Sequence, residues 1–131
     1  MVTAMSINKK KSCIRNVKFG KNVTIIEPVN LYECSIADNC FIGPFVEIQK
    51  NVKVGKNTRI QSHSFICSNV KIGKNSQVSS NTIIESNVNI GESCVIGSSV
   101  TIRNSIIHNN VYIQDGCKIG IKGFGFIPIK D

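Results

Sequence analysis

The stretch IQKNVKVGKNTRIQSHSFICSNVKIGKNSQV, residues 48–78, places a bulky aliphatic residue at every sixth position. The same spacing continues on both sides, with one five-residue step to Ile36 and another to Ile107. Nineteen apolar positions belong to this series: Cys13, Phe19, Ile25, Leu31, Ile36, Ile42, Ile48, Val54, Ile60, Ile66, Ile72, Val78, Ile84, Ile90, Ile96, Ile102, Ile107, Ile113 and Ile119. A period of six fits neither a helix of 3.6 residues per turn nor a two-residue alternation.

A second column of small or β-branched residues lies four positions after the bulky ones. It comprises Val17, Val23, Val29, Ser35, Cys40, Val46, Val52, Thr58, Ser64, Val70, Ser76, Thr82, Val88, Cys94, Val100, Ile106, Val111 and Cys117. Such a repeat is typical of a parallel β-helix, in which each hexad forms a strand and a turn and three hexads close one triangular coil. We expect the bulky residues to fill the prism and the smaller ones to fit beside its corners.

The turn residues agree with this fold. Asn stands three positions after a bulky residue at Asn16, Asn22, Asn39, Asn51, Asn57, Asn69, Asn75, Asn81, Asn87 and Asn110. A corner between flat faces often requires a positive φ, which Asn tolerates better than most residues. Gly55, Gly73 and Gly91 lie 18 residues apart, so they are predicted to stack along one edge.

The predicted fold is therefore all-β, a single parallel β-helix of about six triangular coils that stack over roughly 29 Å at about 4.8 Å per strand. We expect one domain over residues 1–131. Residues 1–12 are predicted to form a basic N-terminal cap and residues 13–120 the hexapeptide coils. Residues 121–131 hold a Gly-Phe-Gly-Phe excursion and the C-terminal end.

Composition narrows the classes of function. The chain has 131 residues and a net charge of +8, and 41% of its residues are hydrophobic, which fits one folded domain rather than a disordered chain. No apolar run is long enough for a membrane-spanning helix, and no secretory signal is visible, so the expected location is the cytoplasm. Nucleic acid is not an expected partner, because no recognition motif is present and no aromatic residues interleave with the basic ones.

Six cysteines in a short chain raise the question of disulfides or a metal site. Four of them occupy the two apolar columns, as small hydrophobes do: Cys13, Cys40, Cys94 and Cys117. Cys34 and Cys67 are predicted at corners, and no CxxC motif occurs. We therefore expect reduced thiols and no metal.

Positive charge is concentrated in two groups, one in residues 9–21 and one in residues 50–74, and the second group includes Lys53, Lys56, Lys71 and Lys74. Lys53 is predicted to lie under Lys71, and Lys56 under Lys74, because each pair is 18 residues apart. These lysines either stay solvated and keep the coil edges from pairing with other chains, or they bind an anionic ligand. Coenzyme A, a nucleotide sugar or an acidic carrier protein would be such a ligand.

The hexad pattern resembles that of the hexapeptide-repeat acyltransferases, whose coils are left-handed. Three segments are similar to the N-acetyltransferases of UDP-2-acetamido-3-amino-glucuronate: residues 23–32, 40–49 and 61–67. From about Ile84 onward the chain resembles the UDP-3-O-acylglucosamine N-acyltransferase of lipid A synthesis, above all in residues 119–126. The resemblance implies acetyl-CoA as acyl donor, or acyl carrier protein in the second family, and a homotrimer with active sites between subunits.

Two histidines are present, His63 and His108. N-acyl transfer requires a base to take the proton of the amine, and His63 is the candidate catalytic residue because it lies in the segment 61–67. The alternative is that His63 fills a corner position that is mostly Asn elsewhere. His108 replaces a corner glycine and is predicted to lie at the surface.

Three further residues are candidates for substrate binding: Glu27, Asn30 and Gln61. Glu27 and Asn30 could bind a sugar hydroxyl or amine, although the polarity of a corner explains both equally well, and Gln61 belongs to the same segment as His63. The candidate residues for binding the acyl donor are Lys53, Lys56, Lys71 and Lys74.

Outward apolar residues point to assembly. Each of four residues precedes an inward position and is predicted to project outward: Phe41, Phe65, Ile83 and Val95. Exposed apolar patches usually mark an interface.

The favoured function is an N-acyltransferase that acetylates an amino group of a nucleotide-linked sugar for surface polysaccharide synthesis. One alternative is a lipid A type acyltransferase that uses acyl carrier protein. The other is a non-catalytic β-helix assembly module or a truncated fragment, which is favoured by the lack of a further histidine in the coil after His63.

Overall fold

A computed structural model describes residues 6–11 and 13–122. These residues contain nineteen short strands, and none of them lies in a helix. The strands are β1 (Ile14–Arg15), β2 (Lys18–Phe19), β3 (Thr24–Ile25), β4 (Asn30–Tyr32), β5 (Ser35–Ile36), β6 (Phe41–Ile42), β7 (Glu47–Ile48), β8 (Lys53–Val54), β9 (Arg59–Ile60), β10 (Phe65–Ile66), β11 (Lys71–Ile72), β12 (Gln77–Val78), β13 (Ile83–Ile84), β14 (Asn89–Ile90), β15 (Val95–Ile96), β16 (Thr101–Ile102), β17 (Ile106–Ile107), β18 (Tyr112–Ile113) and β19 (Lys118–Ile119).

The strands form three parallel sheets, one for each face of a triangular prism. Face A is the sheet β1-β4-β7-β10-β13-β16-β19, face B is β2-β5-β8-β11-β14-β17, and face C is β3-β6-β9-β12-β15-β18. Consecutive strands therefore lie on successive faces, and every third strand returns to the same sheet one coil further along. The predicted left-handed β-helix of about six coils is confirmed.

The bulky column fills the prism as predicted. Its central members are buried, and several have no exposed surface: Leu31, Ile42, Ile48, Ile60, Ile66, Val78, Ile84, Ile96 and Ile102. Ile and Val suit this role because a branched side chain packs well on a pleated surface. Burial weakens at the ends of the stack, where Phe19 is 42% exposed and Ile119 is half-buried.

The structure corrects the start of the series. Ile14, and not Cys13, pairs in register with the inward Leu31. A five-residue step therefore leads from Ile14 to Phe19, and Cys13 lies half-buried beside the column. The sequence repeat alone does not show whether Cys13 or Ile14 points inward, because both residues are apolar.

The two predicted five-residue steps also shift the small column. Ile106 is 67% exposed and Ser35 is half-buried, whereas Cys34 is buried. In every coil the small inward residue lies two positions before the bulky one. A five-residue step has one corner residue fewer than a six-residue step, and the distance of two positions between the small and the bulky residue does not change. Cys34 and Ser105 hold these positions, so the placement of Ser35 and Ile106 in the column and of Cys34 at a corner was wrong.

The corners adopt the predicted backbone conformation. All ten of the predicted asparagines have a positive φ, between 54° and 68°. Asn side chains also form ladders between coils, where Asn51 Nδ2 donates to Asn69 Oδ1 at 3.2 Å and Asn57 Nδ2 donates to Asn75 Oδ1 at 3.1 Å. The corners therefore stabilise the stack as well as turning the chain.

Small residues allow the coils to approach closely. A β-carbon on Gly73 would lie 2.5 Å from the carbonyl carbon of Gly91, which confirms that these glycines stack. The buried hydroxyls of the small column are satisfied by the next coil, since Thr58 donates to the carbonyl oxygen of Gly73 and Ser76 to that of Gly91, both at 3.1 Å. Both buried hydroxyls therefore have a hydrogen-bond partner, and neither destabilises the fold as an unpaired donor would.

The six cysteines are free thiols. Cys40 donates to the carbonyl oxygen of Gly55, and Cys94 to that of His108, both at 3.0 Å. Burial disfavours the charged thiolate and raises the pKa of Cys34 to about 11. The cysteines in the core therefore act as small hydrophobes.

The ends of the chain are only partly described. Residues 6–11 are exposed, and Ile7 has 78% of its surface exposed. Residues 1–5, 12 and 123–131, which include the Gly-Phe-Gly-Phe excursion, lie outside the described residues. The division into cap, coils and C-terminal end therefore stays a prediction.

We expect Ile72→Asp to unfold the protein. Ile72 is 2% exposed in the middle of face B, and an unpaired carboxylate there would cost several kcal/mol against a typical stability of about 5–15 kcal/mol. The control is Asn89→Asp, which places the same carboxylate at an exposed position of the neighbouring strand. Circular dichroism and thermal melting compare the two, and a melting temperature like that of the wild type in Ile72→Asp would contradict the inward assignment.

Cys34 is expected to lower stability at alkaline pH. Its pKa is about 11 in the folded chain, compared with about 8.5 in an unfolded one. The folded state therefore keeps the thiol proton over a range in which the unfolded state releases it. The stabilising contribution is complete below about pH 8.5 and is lost as pH rises toward about 11, by up to about 1.4 kcal/mol per pH unit.

Urea unfolding of wild type and Cys34→Ala at several values between about pH 8 and pH 10 measures this contribution. The variant lacks the titrating group, so its unfolding free energy should fall less steeply with pH. Equal slopes for the two proteins would show that Cys34 does not hold its proton more tightly in the folded chain.

Candidate functional site

Three edges separate the faces of the prism, and each candidate residue belongs to an edge or a face. Edge CA joins face C to face A and includes Phe45 and His63. Edge AB joins face A to face B and includes Asn51 and Asn69. Edge BC joins face B to face C and includes Asn57.

His63 lies on edge CA with its side chain exposed and a φ of 64°. Its backbone N–H donates to the carbonyl oxygen of Pro44 at 3.1 Å. Its ring stacks on that of Phe45, with centroids 4.9 Å apart and an interplanar angle of 23°. The imidazole is therefore held in one orientation and remains open to a ligand.

A hydrogen-bonded carboxylate lies on face A beside this edge. Asn30 Nδ2 donates to Glu47 Oε1, and Gln49 Nε2 donates to Glu47 Oε2, both at 2.9 Å. Gln49 Oε1 accepts in turn from the backbone N–H of Ser68 at 3.1 Å.

Tyr32 lies near this carboxylate. Burial and the negative charge of Glu47 raise the pKa of the Tyr32 hydroxyl. The ring of Tyr32 packs under the guanidinium of Arg15.

The other two predicted substrate residues lie on the same edge. Glu27 is exposed in the turn between β3 and β4. Gln61 is half-buried at the end of β9, and its backbone N–H donates to the carbonyl oxygen of Val78 at 2.9 Å. Edge CA and the adjoining margin of face A therefore bring Glu27, Asn30, Gln61 and His63 to one side of the prism.

The lysines form a separate group. Lys53 and Lys71 are paired in register on face B, as predicted. Together with Lys18, Asn51 and Asn69 they line a groove of about 700 Å³ along edge AB. The groove combines positive charge with amide groups that can donate hydrogen bonds, so it can hold a phosphate-rich anion.

Lys56 and Lys74 lie across face B from this groove, at edge BC. Both are exposed, and Lys56 Nζ is 3.9 Å from Asp38 Oδ2. An exposed pair at this distance contributes little to stability. Asp38 does offset part of the positive charge of Lys56, so Lys53 and Lys71 are the better placed anion ligands.

The two groups of candidates do not meet within one chain. Face B is the face opposite edge CA in a triangular prism, so the core of the prism separates Lys53 and Lys71 from His63. A site that uses both groups requires a second copy of the chain.

The predicted outward apolar residues are found on faces A and C. Phe65 pairs in register with Ile83, which is 41% exposed. Val95 pairs with the exposed Tyr112, and Phe41 packs under the guanidinium of Arg59, which lies 4.4 Å from the ring centroid. Faces A and C therefore carry apolar surface, and face B carries Lys18, Lys53 and Lys71 together with the exposed Ile106 near one end.

His108 is exposed, as predicted, and its backbone lies against Gly91. Among residues 6–11 and 13–122, no three His, Cys, Asp or Glu side chains come together in a way that could hold a metal ion. The same part of the chain contains no helix of the length and hydropathy needed to cross a membrane.

A family model identifies the repeat. The model described as bacterial transferase hexapeptide (six repeats) matches residues 33–68 and 69–104, more than half of the chain. The chain belongs to this family. No curated protein matches this hexapeptide-repeat chain.

A solved structure shares the fold of the hexapeptide-repeat chain. A mutant of perosamine N-acetyltransferase from Caulobacter crescentus, in complex with CoA and GDP-perosamine, superposes with a TM-score of 0.63 at 11% identity. The match covers 84% of this chain and 52% of that protein, so the chain spans about half the length of this relative. At such identity the likeness shows the fold alone.

Two further structures have TM-scores below 0.5 and do not contribute to the assignment. The UDP-N-acetylglucosamine acyltransferase from Campylobacter jejuni gives 0.42 at 14% identity, covering 81% of this chain and 67% of that one. The CcmM N-terminal domain in complex with CcmN gives 0.36 at 16% identity, covering 79% of this chain and 94% of that one.

Sequence reasoning did not single out Phe45 and Glu47, which the structure places beside the predicted residues Asn30 and His63. Both belong to the segment 40–49, which carries the resemblance to sugar N-acetyltransferases. A signal was present, since Phe45 is a large aromatic residue in a corner column that otherwise holds His63, Asn81 and Ser99.

Proposed function

We propose that the chain is an N-acyltransferase that transfers the acetyl group of acetyl-CoA to the amino group of a nucleotide-linked sugar, in the cytoplasm, for surface polysaccharide synthesis. Membership of the hexapeptide transferase family supports acyl transfer. The perosamine N-acetyltransferase of similar fold was solved with CoA and GDP-perosamine. The observation that carries the proposal is the exposed imidazole of His63, oriented by its stack on Phe45.

His63 is the proposed general base. The imidazole accepts a proton from the acceptor amine while the amine nitrogen attacks the carbonyl carbon of the thioester. A C–N bond forms, the C–S bond breaks, and CoA leaves as a thiolate that takes up the proton. Glu27, Asn30 and Gln61 lie along the same edge and are proposed to bind the sugar.

The lysines are the proposed ligands of the acyl donor. Lys53 and Lys71 line the groove along edge AB, where charge-assisted hydrogen bonds would hold the phosphate groups of acetyl-CoA. Lys56 and Lys74 at edge BC add positive charge on the other side of face B. The donor site and His63 act together only if they come from different copies of the chain.

A homotrimer meets this requirement. When one surface of each copy contacts a different surface of the next, the assembly closes into a ring if the rotation allows it. Three copies would then bring edge CA of one chain to the lysines of another. The half-buried Phe65 and the exposed Ile83, which pair on face A, supply apolar contact area for such an interface.

A non-catalytic assembly module is the second candidate. It is favoured by the separation of His63 from Lys53 and Lys71 within one chain. The alternative that uses acyl carrier protein rests above all on the segment 119–126, half of which lies outside the described residues.

Light scattering tests the assembly. We expect the full chain at micromolar concentration to have three times the chain mass of 14.4 kDa. The double variant Phe65→Lys and Ile83→Lys should be monomeric with an unchanged circular dichroism spectrum. Gln77→Lys adds a lysine on face C and serves as the control. A monomeric wild type would refute the trimer.

The role of His63 is tested by His63→Asn. Asn suits a corner with positive φ at least as well as His does, so the fold should persist. Turnover should fall by about 10²–10⁴, the usual contribution of a positioned base. Thiol release from acetyl-CoA with a panel of UDP-amino sugars measures it, and His108→Asn is the control because His108 is also exposed but lies away from edge CA.

Two results would count against this proposal. Unchanged turnover in His63→Asn would show that His63 has only a structural role at its corner. No acetyl transfer by the wild type with any amino sugar would favour the non-catalytic module.

A further inference from the structure

The first coil and the segment before it carry most of the net positive charge. Residues 1–26 contain no Asp or Glu. Their six cations are Lys9, Lys10, Lys11, Arg15, Lys18 and Lys21. The rest of the chain holds ten cations against eight acids, so six of the eight net charges come from residues 1–26. Acyl transfer as proposed above does not account for this concentration.

These cations surround one end of the prism, here called the first-coil end, at which β1, β2 and β3 lie. Arg15 follows β1 at edge AB, Lys18 lies on face B and Lys21 follows β2 at edge BC, and all three are exposed. Residues 9–11 are exposed as well. They end three residues before β1, which is at most about 11 Å along the chain, so their charge is held close to the same end.

Apolar side chains are exposed at the first-coil end too. Ile14 and Phe19 point inward, but 38% and 42% of their surface is exposed because β1 and β2 lie at the outer edges of their sheets. A cavity of about 320 Å³ opens between Ile14, Phe19 and Ile25. Ile7, in the segment before β1, has 78% of its surface exposed. Basic and apolar groups therefore share one surface.

The opposite end of the prism shows that this charge is not a property of every open end. Ile107 and Ile119 of the last coil are only half-buried, as expected at an edge. Residues 105–122 nevertheless contain two lysines and one aspartate. The excess of positive charge is specific to the first-coil end.

This combination fits the surface of an anionic lipid bilayer. Exposed apolar groups enter the boundary between headgroups and acyl chains, and lysines beside them are attracted to anionic headgroups. Five of the six cations are lysines, whose flexible point charge needs no fixed partner geometry. Single-stranded nucleic acid fits less well, because its bases stack on aromatic side chains and Phe19 is the only aromatic residue in residues 1–26.

The edge strands limit how deeply this end can enter a bilayer. Within the described residues, β1, β2 and β3 each pair with another strand on one side only. Their outer backbone groups would lack hydrogen-bond partners in hydrocarbon, which is strongly unfavourable. The contact is therefore confined to the headgroup level, where water and headgroups can satisfy these groups.

We propose that the first-coil end binds the surface of an anionic lipid bilayer, with Ile7, Ile14 and Phe19 at the headgroup boundary and the surrounding cations on the headgroups. The prism then points away from the membrane and its three edges stay accessible. A ring of copies whose rotation axis runs along the prisms would present all of its first-coil ends on one side, so the proposal is compatible with the homotrimer. Binding does not require acyl transfer, so the two proposals can fail separately.

Flotation of the full chain with lipid vesicles tests the proposal. One set of vesicles contains phosphatidylcholine with about one-third phosphatidylglycerol, and the other contains phosphatidylcholine alone. At about 0.1 M salt the chain should bind the anionic vesicles at least about tenfold more tightly than the neutral ones. Binding should weaken as salt rises, because exposed charges are then screened.

A triple variant locates the charge. Lys9→Gln, Lys10→Gln and Lys11→Gln together should weaken binding to the anionic vesicles about 100-fold, since each lysine near a membrane contributes about fivefold. All three side chains are exposed, so the circular dichroism spectrum should not change.

The matched control combines Lys50→Gln, Lys118→Gln and Lys122→Gln. It removes the same charge at exposed positions outside the first coil, and it should bind within about threefold of the wild type because distant charges are screened.

The apolar contribution is tested by Ile7→Ser. It should weaken binding about fivefold through the loss of buried apolar area. Ile106→Ser is the control, since Ile106 is 67% exposed but lies at the other end of face B, and it should bind as the wild type does.

Equal binding to both kinds of vesicle would overturn the proposal, as would wild-type binding by the triple variant or by Ile7→Ser. Tighter binding of a single-stranded oligonucleotide than of the anionic vesicles would assign this surface to nucleic acid instead. A change in oligomeric state of the triple variant, measured by light scattering without vesicles, would assign it to a second copy of the chain.

Discussion

Each coil stacks directly on the one before it, and the other features of the structure depend on this constraint. Backbone hydrogen bonds join the coils, as from Lys53 N–H to Val70 O at 3.0 Å and from Gly55 N–H to Ile72 O at 2.8 Å. A residue therefore lies beside the equivalent residue of the next coil. The side chains of each column must pack against one another at the distance between neighbouring strands. Ile and Val meet this requirement inside the prism, Asn at the corners and Gly where two backbones approach.

The sequence repeat predicted the fold because the stacking of equivalent residues requires similar residue types at a regular spacing. The inward column, the positive φ of the corner asparagines and the stack of Gly55, Gly73 and Gly91 all follow from the spacing of six and its multiple of 18. The errors fell where the spacing changes. Cys34 and Ile106 were misplaced because a five-residue step shortens the corner and keeps the strand, a choice that depends on which backbone contacts the next coil.

The site was less predictable, because a one-dimensional repeat does not show which edges and faces lie near one another in an assembly. The sequence placed His63 at a corner and Lys53 beneath Lys71, and both placements agree with the structure. Recognising that the two groups lie on opposite sides of the prism required the sheet order. Glu47 was missed for a related reason: its partners Asn30 and Gln49 become neighbours of one carboxylate only when the coils stack.

Native-state amide hydrogen exchange tests the stacking most directly. If the coils are joined as described, the amides of Lys53, Gly55, Lys71 and Gly73 should be among the slowest to exchange, since each donates to the next coil. Protection should decline coil by coil toward both ends, and residues 6–11 should exchange freely. Exchange of these central amides at the rate of residues 6–11 would contradict the β-helix and the site built on it.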